Sequence, residues 1–305
     1  MSAIRTLLAE SIDYAGLFPP AGLDMLSAVG NFARYRTGPD AWALGRFVLP
    51  VNRLDEFESA AAHHLPLVPA AQPWRLSVLT GPDLAADLKL ITGFEQRHSR
   101  PGEPAVLADT IEVKATSETG IEDIMREAPR ALQVYIEIPI DRDPHQLLTA
   151  MARLGGRAKV RTGGVTEDAF PRTADLVRFL RSSVQAGVAF KATAGLHHPL
   201  RAEYRLTYAA DSPVGSMFGF LNLFLAAALL RSGMSDSEAA RLLEERSPEA
   251  IKVSGRGVSW NNHRLDLGAL RQARSDGLIS FGSCSFTEPL SDLAALHLMP
   301  AQVQT

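Results

Sequence analysis

The chain is poor in cysteine: Cys284 is the only one among 305 residues. A lone cysteine excludes an intrachain disulfide framework and suits a reducing compartment. It also lacks a surplus of either charge, with 31 Lys and Arg against 34 Asp and Glu and a formal net charge of −3. That balance argues against a nucleic-acid or anionic-membrane surface and favours small-molecule chemistry. Long hydrophobic runs are missing too. The longest, Met217 to Leu230, has fourteen residues and contains Asn222, which is too short for a bilayer span and predicts a buried helix. Met1 to Glu10 holds no apolar run behind a basic cluster, so no secretory signal is expected and the cytoplasm is the expected compartment. Short-period repeats and low-complexity linkers are absent as well. What is present is a hydrophobic fraction of 46%, ample for a core. A barrel of about 250 residues plus insertions uses this length as a single domain, 1–305.

Strand-like and helix-like segments alternate along the chain. Ser11 to Pro20 predicts a short strand holding Asp13 and a proline turn, followed by an amphipathic helix from about Leu23 to Tyr35. Gly45 to Val51, Trp74 to Gly81, Ile111 to Ala115 and Gln133 to Ile138 predict four more strands. Helices are expected between them near Leu54 to Ala62, Leu84 to Glu95 and Gly120 to Arg126. Two further strands, Ala158 to Gly164 and Val188 to Gly195, flank a helix around Leu176 to Leu180. Regularity breaks from Pro199 to Asp276, which holds the apolar helix, a helix opened by Ser235 or Asp236 with Glu238 in capping-box position, and a hairpin-like run from Ile251 to Trp260. The eighth strand is Leu278 to Phe281, leading through Gly282-Ser283-Cys284-Ser285 into a helix that includes Leu290 to His297. The alternation predicts an α/β fold, an eight-stranded parallel (β/α)8 TIM barrel with an enlarged insertion at about 199–276 before the last strand.

Parity along the strands points to chemistry. Glu112 shares a face with Lys114, and Tyr135 shares one with Glu137, while valine and isoleucine take the opposite faces. Helices cover the outside of such a barrel, so the apolar faces look outward and the charged faces inward. Charge inside a barrel is costly unless paired and concentrates at active sites. By the same parity Lys159 with Arg161, and Lys191 with Thr193, share the interior. Two facing ammonium groups repel, which predicts that one loses its proton and becomes a nucleophile able to form a Schiff base. Unperturbed, a lysine is neutral at pH 7 only about once in 2,500 molecules. Arg161, with a planar fork suited to carboxylate or phosphate, points to an anionic substrate. The turn Gly282 to Ser285, with Gly195 opposite, offers backbone N–H groups to an anion.

The order of these motifs resembles that of the deoxyribose-phosphate aldolase family of class I aldolases. Ile12-Asp13-Tyr14 followed by Leu17-Phe18-Pro19 resembles that family's Ile-Asp-His and Leu-Lys-Pro. Ile111-Glu112-Val113 resembles its Ile-Asp-Met or Ile-Asp-Val, and Val134-Tyr135-Ile136-Glu137 its Val-Ile-Ile-Glu. Lys159-Val160-Arg161-Thr162-Gly163 is similar to Lys-Thr-Ser-Thr-Gly, and Phe190-Lys191-Ala192-Thr193-Ala194-Gly195 to Val-Lys-Ala-Ser-Gly-Gly. Phe281-Gly282-Ser283-Cys284-Ser285 resembles the final Gly-Thr-Ser-Ser. The resemblance implies Lys159 as the Schiff-base lysine, Lys191 as the neighbour that tunes it, Glu112 in proton transfer and Asp13 as a supporting polar residue. Departures are Glu112 in place of aspartate, Arg161 in place of a small serine, Lys114 as an extra interior cation, and His197-His198 after the last glycine.

The expected function is a class I aldolase-like lyase acting on a small anionic carbonyl substrate, without cofactor. Lys159, Lys191, Glu112, Asp13 and Glu137 are the catalytic candidates. Arg161, Lys114, Thr193, Gly195, His197, His198, Gly282, Ser283 and Ser285 are the substrate-binding candidates. Another Schiff-base lyase, decarboxylating or dehydrating a keto acid, and a barrel that binds a metabolite without chemistry are the alternatives. No metal is expected, because adjacent residues on a strand point to opposite faces, so that a pair such as His197-His198 seldom gives two ligands to one ion, His63-His64 reads as a solvated helix end, and no His-Glu-x-x-His or paired Cys-x-x-Cys spacing exists. Neither nucleic acid nor membrane is an expected partner, and a homo-oligomer is left open.

Overall fold

Hydrophobic alternation is satisfied by closing the sheet on itself. In the computed structural model, which describes residues 2–70 and 72–299, a first helix α1 (Ala3–Leu8) leads into strand β1 (Ile12–Tyr14). Helix α2 (Met25–Thr37), β2 (Leu44–Pro50), α3 (Leu54–Ala61), β3 (Trp74–Leu79), α4 (Leu84–His98) and β4 (Val106–Lys114) follow. Then come α5 (Glu118–Glu127), β5 (Gln133–Glu137), α6 (His145–Leu154), β6 (Arg157–Arg161), α7 (Thr173–Ala186) and β7 (Phe190–Thr193). The segment beyond β7 carries a hairpin of β8 (Ala202–Arg205) and β9 (Val214–Met217), helices α8 (Phe220–Arg231) and α9 (Asp236–Leu243), and a three-stranded sheet of β10 (Ile251–Ser254), β11 (Gly257–Trp260) and β12 (His263–Asp266). Helix α10 (Leu267–Asp276), strand β13 (Leu278–Ser283) and helix α11 (Thr287–Ala295) complete the order. Strands β1 to β7 and β13 form a closed barrel, parallel throughout, in which β13 pairs with both β7 and β1. The fold is therefore an eight-stranded (β/α)8 TIM barrel.

The outward faces of the strands explain the helices. Ile111, Val113, Val134, Ile136, Val160 and Phe281 are buried against the helical layer. Phe281 stacks on Phe220 of α8 with ring centroids 4.8 Å apart, so the last strand and the apolar helix fix each other. Helix α8 is apolar all round because α7, α9, α10 and β13 surround it. Its one fully buried polar side chain, Asn222, is satisfied. Asn222 accepts from the Arg201 N–H at 2.9 Å and donates to the Leu242 and Glu245 carbonyls at 2.8 and 3.0 Å. It thereby ties α8 to the chain after β7 and to the end of α9. Helix α9 opens with the capping box of Ser235 and Glu238.

Two differences from the sequence expectation have physical causes. Strand β4 begins at Val106 rather than near Ile111 because Asp109, a charge that normally breaks a strand, is neutralised by Arg46 at 2.8 Å and Arg75 at 2.6 Å. Helix α1, unforeseen in the sequence, has Ser2 as its N-cap and packs on α10 and the β10–β11 strands. Isolated, six residues would not hold a helix; tertiary burial of Ile4, Leu7 and Leu8 does. Asn222→Ala should lower unfolding stability by at least about 2 kcal/mol, because it leaves two carbonyls and one N–H buried without partners. Denaturant titration measures this, and a change below half that size would mean water replaces the amide.

Candidate active site

Strand register sets the site. Glu137 pairs with Lys159, Lys159 with Lys191, and Lys191 with Ser280, so four inward side chains from β5, β6, β7 and β13 stand side by side. Asp13 enters from β1 and Glu112 from β4. The Lys191 ammonium group lies 2.6 Å from Asp13 Oδ2 and 2.6 Å from Glu112 Oε1. That of Lys159 lies 2.8 Å from Glu112 Oε2 and 2.8 Å from Glu137 Oε2. Glu112 is thus shared, one oxygen to each lysine. Its Oε1 also accepts from the Ser77 hydroxyl at 2.7 Å, and Asp13 Oδ2 accepts from Ser280 at 2.8 Å. Asp13 Oδ1 accepts from the Arg46 N–H at 2.9 Å. A Cβ at Gly45 would run into this carboxylate and lie 3.1 Å from the Ile12 carbonyl, so only glycine lets β2 come this close. Beneath the cluster, Tyr135 turns its ring towards the Lys191 ammonium at 5.4 Å and accepts from Arg157 at 3.0 Å.

All four of Asp13, Glu112, Lys159 and Lys191 are buried. Burial alone would raise the Glu112 carboxyl, yet the charges of Lys191 and Lys159 outweigh it and hold Glu112 far below the ordinary carboxylate range. For Lys191 burial acts downward, but Asp13 and Glu112 overcome it and hold the ammonium above its ordinary value. Lys191 is therefore a fixed cation. The bare repulsion expected between two facing ammonium groups is corrected here: the Glu112 carboxylate stands between them and compensates both.

Above the cluster lies a cavity of about 230 Å³ at the C-terminal ends of the strands, where barrel enzymes keep their active sites. Glu112, Lys159 and Lys191 form its floor, Arg161, Thr193, Gly195, His197, Gly282 and Cys284 line its wall, and Phe18, Pro19, Val48, Leu79 and Val165 make much of the rest apolar. Arg161 is exposed at the rim and has no ion pair among the described residues. The backbone turns sharply here: Ala194 and Gly195 have φ of 68° and 71°. Ala194 holds a conformation that favours glycine, which places local strain at the cavity edge.

Several expected contacts lie elsewhere. Lys114 is not an interior cation. As the last residue of β4, its side chain is 80% exposed and only its tip approaches Glu137, at 3.7 Å. His198 faces away from the cavity, bonded to Asp292 at 2.5 Å and stacked on Tyr204 at 3.5 Å. Ser283 is buried off the cavity because its parity is opposite to that of Gly282. The Ser285 hydroxyl is turned to its own helix, where it accepts from the Glu288 N–H at 3.2 Å. Glu137 lies beside Lys159 as its second carboxylate partner. Among the described residues no group of three or more His, Cys, Asp or Glu side chains converges on a metal position.

Sequence reading missed Ser77 and Ser280, the small polar residues that complete the coordination of Glu112 and Asp13. Their signal was a serine at the inward position in the middle of an apolar strand. It also missed a cluster at the mouth. His197 Nδ1 lies 3.4 Å from Glu288 Oε2 and 3.8 Å from Cys284 Sγ, and the Tyr208 hydroxyl donates to Glu288 at 3.1 Å. Burial pushes His197 down, but Cys284 and Glu288 prevail and push it up to about 9. Set against family models, curated proteins and solved structures, the chain matches none.

Two measurements probe these electrostatics. Lys191→Met leaves Asp13 buried without a cation and Glu112 with Lys159 alone, and should cost about 3–5 kcal/mol of stability; Asp13→Asn in the same chain should restore part of it. Because the folded state raises His197 from 6.5 to about 9, its contribution is fully present below pH 6.5 and is lost as pH rises through about 9. Unfolding free energy should decline across that window, and the ring should titrate near 9 by NMR. A ring that titrates near 6.5 would remove the Glu288 pair from the account.

Proposed function

We propose that the protein is a Schiff-base lyase of the class I aldolase type, similar in chemistry to the deoxyribose-phosphate aldolase family. A barrel alone hosts many chemistries, so the reading rests on one observation: Lys159 reaches the floor of a largely apolar cavity with two carboxylates at 2.8 Å and a second lysine, held as a cation, alongside.

The two carboxylates divide the work. Glu112, pinned by two lysines and Ser77, stays ionised and anchors the cluster. Glu137 makes its buried contact with Lys159 alone and meets Lys114 only at the exposed rim, so it is the base that takes the Lys159 proton. The neutral amine then attacks the substrate carbonyl, and loss of water from the carbinolamine leaves an iminium. Glu137 returns its proton to the departing hydroxyl. In the cleavage direction a base removes the proton of the hydroxyl one carbon beyond the α-carbon, and the bond between those carbons breaks. Its electron pair passes into the iminium as an enamine, and the hydroxyl carbon leaves as an aldehyde. Protonation of the enamine and hydrolysis regenerate Lys159. Lys191 keeps a positive charge beside Glu112 throughout, so the iminium forms in a site already balanced for a cation at Lys159. An anionic substrate would meet Arg161 at the rim, where exposure limits the pair to about 0.2–1 kcal/mol.

Borohydride reduces an iminium to a stable link. Incubation with a panel of aldehydes and keto acids, followed by reduction and peptide mass analysis, should place the adduct on Lys159, and Lys159→Met should abolish it. Adduct on Lys191 with Lys159 unmodified would reverse the two roles, and no adduct with any carbonyl would end the Schiff-base reading. Product analysis of a captured substrate separates carbon–carbon cleavage from decarboxylation.

A further inference from the structure

Barrels that take phosphate esters commonly seat the phosphate on free N–H groups after the seventh and eighth strands and at the N-terminus of the next helix. In this chain that ground is filled by its own side chains. The Phe170 ring covers the glycine turns at the ends of β6 and β7: a Cβ on Gly195 would fall 2.7 Å from it, and one on Gly163 would also overlap it. These glycines make room for an aromatic ring. At the opening of α11, Ser285 already accepts from the Glu288 N–H at 3.2 Å. The Glu288 carboxylate itself sits in the first helical turn, bonded by the Tyr208 hydroxyl at 3.1 Å and paired with His197 at 3.4 Å. Tyr208 comes from the loop between β8 and β9, so the segment inserted after β7 closes over the same place.

We propose that the mouth of this site is built against phosphate: the carbonyl substrate is unphosphorylated, and Glu288 is the residue that selects it. This rests on the reading of Lys159 as the Schiff-base lysine. Glu288 pairs with His197, a residue of the cavity wall, and neutralises it, so the wall between β7 and α11 offers a phosphate ester no free cation. The His197–Glu288 pair has no net charge to attract a dianion. The remaining wall, from Phe18, Pro19, Val48, Leu79 and Val165, suits an apolar carbon chain. Among the described residues Arg161 is the cation of the cavity lining without an ion pair, a single guanidinium that matches one carboxylate.

Glyceraldehyde and glyceraldehyde 3-phosphate differ only in the phosphate, and borohydride capture on Lys159 compares them directly. The wild-type chain should yield at least about ten-fold more adduct from the unphosphorylated aldehyde. Glu288→Gln, which keeps the shape and removes the charge, should narrow that ratio, and Glu288→Asp should restore it. Equal capture of both aldehydes by the wild-type chain overturns the proposal, as does a ratio that Glu288→Gln leaves unmoved. Titration with inorganic phosphate, followed by phosphorus NMR, reads the mouth without using Lys159. Saturable binding to the wild-type chain overturns the exclusion, whereas binding gained only in Glu288→Gln supports it. Where no aldehyde is captured at all, the Schiff-base reading fails and the phosphate titration still decides the role of Glu288.

Discussion

One carboxylate shared by two buried ammonium groups governs this barrel. Glu112 gives one oxygen to Lys191 and the other to Lys159, and each lysine completes its pairing with a carboxylate from a different strand. A charge taken out of water is tolerated only when paired and hydrogen-bonded. The chain meets that requirement by collecting Asp13, Ser77, Glu112, Glu137, Lys159, Lys191 and Ser280 from seven of the eight strands. No pair of neighbouring strands could do it alone. The closed sheet is therefore a condition of the site, and the site in turn fixes the register that closes the sheet.

The charged interior depends on an apolar exterior. Phe281 faces α8 while its neighbours Ser280 and Gly282 face inward, so a one-residue slip of β13 would bury a serine against Phe220 and thrust a phenylalanine among the lysines. Such a slip is ruled out by both faces at once. The segment after β7 contributes on two levels. Helix α8 supplies the packing for the last strand, with Asn222 fastening it, and the β8–β9 loop brings the Tyr208 hydroxyl to Glu288 and Cys284.

Much of this was legible in the residues. Alternation of apolar and charged positions placed Glu112, Glu137, Lys159 and Lys191 inside before any coordinates, because parity in a strand is a local property. Errors arose where parity meets a chain end or a partner far away. Lys114 has the inward parity but is the last residue of β4, and a long side chain at a strand end reaches water. Asp109 has no local reason to sit in a strand; Arg46 and Arg75, 63 and 34 residues earlier, make it stable there. The side chains around Gly282 to Ser285 were hidden for the same reason, since Phe170, Tyr208 and Glu288 arrive from other parts of the chain.

The sequence by itself determined the strand and helix alternation, the polarity of each strand face, and the two lysines with their acidic neighbours, all of which follow from spacings of two to four residues and from the period of a strand. Only the tertiary structure decided that Glu112 stands between the lysines, that Lys191 is held as a fixed cation, and that Glu288 pairs with His197. Pairing between charges depends on register and tilt across the closed barrel, and the balance of burial against opposite charge is set by atoms that are neighbours in space and strangers along the chain.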